Sequence, residues 1–342
     1  MTVDLGWMAW ESDSTNGYAH VGEKFRFHIM NDDRFRFVNA YAEPWDALIC
    51  IATPARFTIG PQLVSRPDVV FHTMFEAQPL PKGWVEVLNC AGLLWVPSQY
   101  CYDLFESEGV TTPMFIAGYG VNHNEYTFVD RTEREDDRNA PMKFVLWADT
   151  LFSRKNVVKT VKAFIAAGLP DAELEVKLHS FAGMNAGTMF SDASGRALAN
   201  ITIHTGAWQR TKLVRWLQSA DCGIYGSGGE GFGLQPPEGM ATGLPMIVAN
   251  NTGMMEYLKP DNHLPVACTG LVKDMTYSMG YGYDAYTYAP DWDQMVEQIR
   301  WAYYHRNELH AIGVRGHLEA LKWDWKEQTT IAANKIYERY TQ

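Results

Sequence analysis

Short apolar runs recur along the first 120 residues, separated by stretches with helical spacing. Val3–Trp10, Ala47–Thr53, Val69–Thr73, Leu93–Pro97 and Met114–Ala117 read as strands, and Trp84–Cys90 and Gln99–Ser107 as helices. The alternation stops at 123–141, a charged stretch without apolar period that ends in Pro141 and reads as a linker. It then restarts. Lys143–Trp147, Leu174–Leu178, Ile201–His204, Gly223–Tyr225 and Pro245–Val248 predict strands; Asn156–Ala167, Arg210–Ser219 and Pro236–Ala241 predict helices. Short parallel-type strands between helices, twice over, predict an α/β fold of two doubly wound domains. Asp291–Tyr340 reads as helical throughout, and 277–288 (YSMGYGYDAYTY) as a polar, aromatic loop, either a surface that stacks on sugars or bases or a packed loop covering the second domain.

Length and charge narrow the class. The chain has 342 residues, room for two domains, and 46% hydrophobic residues, which excludes wholesale disorder. No apolar run is long enough to span a membrane. The start lacks the basic and apolar regions of a secretory signal, and the five cysteines form no Cys-x-x-Cys pair, so buried thiols and a cytoplasmic location are expected. The net charge is −11; residues 1–130 carry 7 Lys+Arg against 16 Asp+Glu, a net of −9. Such a field disfavours polyanions and anionic membranes and favours neutral or cationic acceptors.

The most informative stretch is Tyr225–Gly253. It opens at a strand end with five glycines (226, 228, 229, 231 and 233) and runs into a helix start at Pro236 and Pro237. Glycines let backbone approach a ligand, and a helix start presents amides suited to phosphate. Glu230 and Glu238 flank the element with seven residues between them, and ionised carboxylates accept several hydroxyl hydrogen bonds.

This element, EGFGLQPPEGMATGLPMIV, resembles the Glu-x7-Glu hallmark of glycosyltransferase family four, matching it at Glu230, Gly231, Phe232, Gly233, Leu234, Pro236, Glu238, Met240, Ala241, Gly243, Leu244 and Pro245. Phe71–Asn89 (FHTMFEAQPLPKGWVEVLN), Trp95–Ser98 (WVPS), Gly118–Asn122 (GYGVN) and Ser153–Lys155 (SRK) are similar to further family segments. The chain departs from the pattern in three places. Ala148-Asp149 stand where an Arg is frequent, Tyr119 stands where His is usual, and Ser14–His20 has one glycine where many members have two.

The resemblance implies a GT-B fold: two Rossmann-like domains facing across a cleft, 1–122 on the acceptor side and 142–320 on the nucleotide-sugar side, joined by the linker 123–141. A C-terminal helix, 321–342, returns towards the first domain. It implies a retaining glycosyltransferase with no metal and no cofactor beyond a UDP- or GDP-sugar co-substrate. Glu238 is assigned to the ribose hydroxyls and Glu230 to the sugar. Arg154 and Lys155 are assigned to the diphosphate, with Gly231, Phe232, Gly233 and Leu234 around it. Cations there stabilise the departing diphosphate, and they sit unfavourably at a helix start unless a ligand anion is present. His72 and Glu76, at a strand's carboxyl end, are catalytic candidates in the first domain. Gly17, Tyr18 and His20 are its acceptor-side candidates.

Two other patterns have competing readings. Asp291-Trp292-Asp293 has the form of a metal-binding Asp-x-Asp, but it follows Ala289-Pro290 and precedes helical spacing, so Asp291 reads as an N-cap and Asp293 as a first-turn acid. Lys24–His28 and Arg34–Phe37 interleave cations with aromatics. That composition fits a nucleic-acid platform, yet an amphipathic helix followed by an alternating strand explains it more simply. The expected acceptor is a saccharide-type hydroxyl. The alternatives are a hydroxymethylated pyrimidine of phage-type DNA and a non-catalytic nucleotide-sugar-binding module. The oligomeric state is not legible from the sequence.

Overall fold

The structure, a computed structural model, describes residues 1–9, 17–41, 44–54, 67–132, 140–148, 153–179 and 200–341. The chain divides into two compact units, Met1–Gly120 with Trp323–Gln342, and Val121–Lys322.

The first unit is built on six parallel strands: β1 (Val3–Ala9), β2 (Phe35–Val38), β3 (Ala47–Ile51), β4 (Val69–His72), β5 (Leu93–Val96) and β6 (Met114–Ile116). Their order is β2-β1-β3-β4-β5-β6. The central strands ALICI, VVFH and LLWV are buried along their whole length, which explains their unbroken apolar runs. Helix α1 (Gly17–Ile29) packs against the last helix, Trp325–Thr341, with Phe25 edge-on to Trp325 at 5.3 Å. Ser98 starts the helix Gln99–Ser107 by accepting the Cys101 N–H.

The second unit repeats the plan. β7 (Met142–Ala148), β8 (Ala172–Leu178), β9 (Ile201–His204), β10 (Cys222–Tyr225), β11 (Met246–Ala249) and β12 (Leu264–Val266) form a parallel sheet in the order β12-β11-β10-β7-β8-β9. Phe144, Leu146, Val161, Phe164, Ile224, Met295 and Ile299 fill its core. The strand order reverses between β7 and β10. Ligands of doubly wound sheets bind at such a reversal, beyond the strands' carboxyl ends.

The tail bears out its helical reading, and two other local expectations need correction. The helical tail runs as three segments, Trp292–Tyr304, Arg306–Ala320 and Trp325–Thr341. His305 leaves helical geometry at φ −120°, ψ 44°, and Asp324 accepts the Lys326 N–H ahead of the last helix. The run 277–288 is not a loop. Asp274 caps a helix at Met275–Tyr281, Gly282 ends it in left-handed geometry, and Tyr286–Pro290 (β14) pairs antiparallel with Cys268–Lys273 (β13). The thiols are not all buried: Cys50, Cys101 and Cys222 are, but Cys90 is exposed.

Within 123–141, Tyr126 is buried, and the Arg131 guanidinium donates to the carbonyls of Leu217, Ala220 and Thr242. Residues 133–139 lie outside the described residues, as do Trp10, Ser14, Thr15, Asn16 and Asp149 of the sequence reading. No described helix is long and apolar enough to cross a membrane.

Candidate active site

At the reversal point, β7 leads to a short 3-10 turn, Ser153–Lys155, and β10 leads to the glycine loop. Arg154 and Lys155 are buried, as is Glu230. Glu230 Oε1 accepts from Arg154 Nη1 at 2.7 Å, Lys155 Nζ at 2.6 Å, Tyr225 Oη at 2.8 Å and Ser227 Oγ at 2.6 Å. All four donors converge on one oxygen, and Oε2 has no hydrogen-bond partner among the described residues. Burial pushes the Glu230 carboxyl up, but Arg154 and Lys155 outweigh it and hold it at about 2. The carboxylate is thus ionised at neutral pH, and the two cations are fixed before any ligand arrives.

The loop is anchored from below. Glu230 N donates to Thr252 Oγ1 at 2.9 Å, and Gly253 N donates to the Glu230 carbonyl at 3.0 Å. A Cβ on Gly253 would lie 2.0 Å from the Gly231 carbonyl oxygen, so only glycine lets the two backbones meet there. Tyr257 Oη lies 3.2 Å from the Phe232 carbonyl and donates to that of Gly233 at 2.8 Å; its ring meets Phe232 edge-on. Leu234 precedes the helix Gln235–Ala241, which opens with Pro236 and Pro237 in its first turn and no side-chain cap. Asn156 and Thr252, both beside the loop, hold left-handed backbone at φ 49° and 48°. Such strain in non-glycine residues concentrates at functional sites.

Glu238, in the first turn of that helix, is buried and forms a second cluster. Arg210 Nη1 lies 3.2 Å from its Oε1 and 2.7 Å from Tyr126 Oη. Arg210 is the first residue of its helix, where a cation is disfavoured without a nearby anion. That argument, made from the sequence for Arg154, applied equally to Arg210 and was missed. Tyr126 was missed because it lies in the charged stretch, and Tyr225 and Ser227 because the glycines around them dominate the pattern.

In the first unit, Tyr18 Oη donates to the Met74 carbonyl at 3.2 Å, tying α1 to the end of β4. His20 meets Trp325 edge-on at 5.9 Å, Gly17 is the first residue of α1, and Glu76 is half-buried. His72, the other catalytic candidate of the first unit, lies inside its core. It is fully buried, Nδ1 bonds the Trp95 carbonyl at 2.9 Å, and Nε2 bonds Tyr119 Oη at 3.1 Å. Burial lowers its pKa to about 3, so it stays neutral. Both imidazole nitrogens are thus engaged within the unit.

Asp291 caps the helix Trp292–Tyr304 through the Gln294 N–H at 3.0 Å, with Asp293 in the first turn. Among the described residues no group of three His, Cys, Asp or Glu could hold a metal. The cation–aromatic stretch divides as helix and strand. Phe25 and Phe35 are buried, Arg34 is bound to Asp32, and Arg36 to Asp4.

Residues 129–278 match the family described as Glycosyl transferases group 1. No curated protein matches the chain. Among solved structures, the sucrose-phosphate synthase of Thermosynechococcus elongatus aligns with a TM-score of 0.70 at 13% identity, covering 97% of this chain and 98% of that one. Anabaena HepE in complex with UDP-glucose aligns with a TM-score of 0.72 at 11% identity, covering 97% and 99%. The α,α-trehalose 6-phosphate synthase of Burkholderia multivorans aligns with a TM-score of 0.63 at 12% identity, covering 94% and 77%. The two Rossmann-like parallel sheets are those of GT-B glycosyltransferase structures. The family match supports a glycosyltransferase.

Proposed function

We propose that the chain is a retaining, metal-independent glycosyltransferase that moves a sugar from a nucleotide-sugar to a hydroxyl of a saccharide-type acceptor. The observation that carries this reading is the convergence of Arg154, Lys155 and the glycine loop on Glu230 at the strand-order reversal. In this reading the donor diphosphate lies against Arg154 and Lys155, which stabilise the charge that grows on it as the glycosidic bond breaks. Glu230 Oε2 takes a sugar hydroxyl while Oε1 keeps the cations in place. Glu238, steadied by Arg210, takes the ribose hydroxyls. UDP is the favoured nucleotide, because UDP-glucose is bound by the similarly folded HepE.

A saccharide acceptor follows from the acidic first 130 residues and from the engagement of Arg34 and Arg36 with aspartates. Gly17, Tyr18 and His20 are the acceptor-side residues of this reading, and Glu76 its catalytic candidate in the first unit. The test is a thermal-shift screen with UDP, GDP, ADP and their sugars, followed by nucleotide release from the sugar that stabilises most. Stabilisation by a nucleoside diphosphate and chelator-resistant turnover are expected. No shift with any nucleotide would remove the reading, and a loss of turnover restored by Mg²⁺ would remove its metal independence.

A further inference from the structure

The segment Cys268–Pro290 forms an arm: β13, the helix Met275–Tyr281, and β14 returning beside β13. Hydrophobic burial does not explain where this helix sits. None of its residues is buried, and Met275 and Met279 are 55% and 80% exposed. Polar contacts hold it, and they lead to the candidate donor site.

Ser153 Oγ donates to the Asp274 carboxylate at 2.5 Å, and Ser153 N donates to Thr276 Oγ1 at 3.1 Å. Asp274 is buried and also accepts the Tyr277 N–H at 3.0 Å. One carboxylate therefore starts the arm helix and holds the cation-bearing turn. Arg154 Nε donates to Tyr277 Oη at 3.1 Å. On its other edge, Arg154 Nη1 donates to Glu230 Oε1 and to the Gly229 carbonyl. Bonds on two edges of a planar guanidinium fix its plane.

The arm grips the glycine loop as well. Tyr288 N donates to the Gly228 carbonyl at 2.8 Å, and Gly228 N donates to the Arg154 carbonyl at 2.7 Å. A Cβ on Gly228 would lie 2.3 Å from the Tyr288 carbonyl oxygen, so strand and loop are flush.

We propose that this arm is a clamp that sets the diphosphate-binding geometry, with Tyr277 as the positioning residue for the Arg154 guanidinium. The inference rests on the reading of Arg154 and Lys155 as donor-phosphate cations. Its consequence is selective. Loss of the clamp weakens whatever binds through the diphosphate and spares binding through the nucleoside.

The test compares Tyr277→Phe with the wild-type chain, using UDP, uridine and inorganic pyrophosphate as probes. The phenylalanine keeps the ring and removes only the hydroxyl that Arg154 bonds. UDP and pyrophosphate affinities are expected to fall about five- to tenfold, the upper part of the range of an ordinary protein hydrogen bond, because the lost bond acts on the ligand through Arg154. Uridine affinity and the melting temperature should stay unchanged. Amide hydrogen exchange at 153–156 and 226–230 should quicken. A mainly structural tyrosine would instead lower the melting temperature and weaken all ligands together. An unchanged preference for UDP over uridine in Tyr277→Phe overturns the clamp and leaves the donor-site reading standing. A wild-type chain that binds none of the three probes overturns the donor-site reading, and the clamp with it.

Discussion

At Glu230 a substitution acts on the fold as well as on the ligand. Removing the carboxylate strips Arg154 and Lys155 of the group that compensates them in a buried setting, a loss of about 3–5 kcal/mol. Glu230→Ala should therefore melt early in urea besides losing turnover. Glu238 is different, because its partner Arg210 is partly exposed. Glu238→Ala should keep most of its stability and lose about 2–3 kcal/mol of nucleotide binding, measured by titration with UDP, since charged acceptors for two hydroxyls disappear. His72 predicts a pH effect. Its pKa is 6.5 unfolded and about 3 folded, so below pH 6.5 the unfolded chain binds a proton that the folded chain refuses. Its contribution is complete above pH 6.5 and drains away towards pH 3, at up to about 1.4 kcal/mol per pH unit. Buried His263, held at about 4, adds a slope of the same sign. Urea melts between pH 7 and 5 should show this decline, and His72→Phe should flatten it. An equally steep decline in that variant would refute the assignment.

At the scale of elements, the glycine loop is held by backbone meeting backbone. Gly253→Ala puts a Cβ 2.0 Å from the Gly231 carbonyl, and no side chain is there to move aside. The loop must shift, at about 1–3 kcal/mol, and the cradle around Glu230 shifts with it. Nucleotide affinity should fall by more than the melting temperature suggests, which parallel calorimetry and UDP titration can measure. The loop was legible beforehand because its glycines and acids are contiguous, and contiguous residues carry their spacing into space. The arm was not. Asp274 and Gly282 mark a helix locally, but β13 and β14 become strands only by pairing across the intervening helix, and glycine and tyrosine in 277–288 mask that pairing.

For the whole molecule, two sheets with separate cores predict that ligand protection is local. A nucleotide at 100 times its Kd adds about 2.7 kcal/mol to the state that binds it. Hydrogen exchange with UDP should slow at 153–156, 226–238 and 252–257, all in Val121–Lys322. Protection confined instead to residues 1–120 would contradict the donor-site assignment. The sequence by itself determined the two parallel α/β sheets, because their central strands, buried on both faces, must be continuously apolar and the segments between them must carry helical spacing. It also determined the acid–glycine element, whose chemistry lies within 20 consecutive residues. Only the tertiary structure decided that Glu230 meets Arg154 and Lys155, that Arg210 and Tyr126 meet Glu238, and that Tyr277 reaches Arg154. Strand order brings these groups together: β7 and β10 are neighbours in the sheet though some 75 residues apart in the chain, and no pattern along a sequence records which strand ends converge.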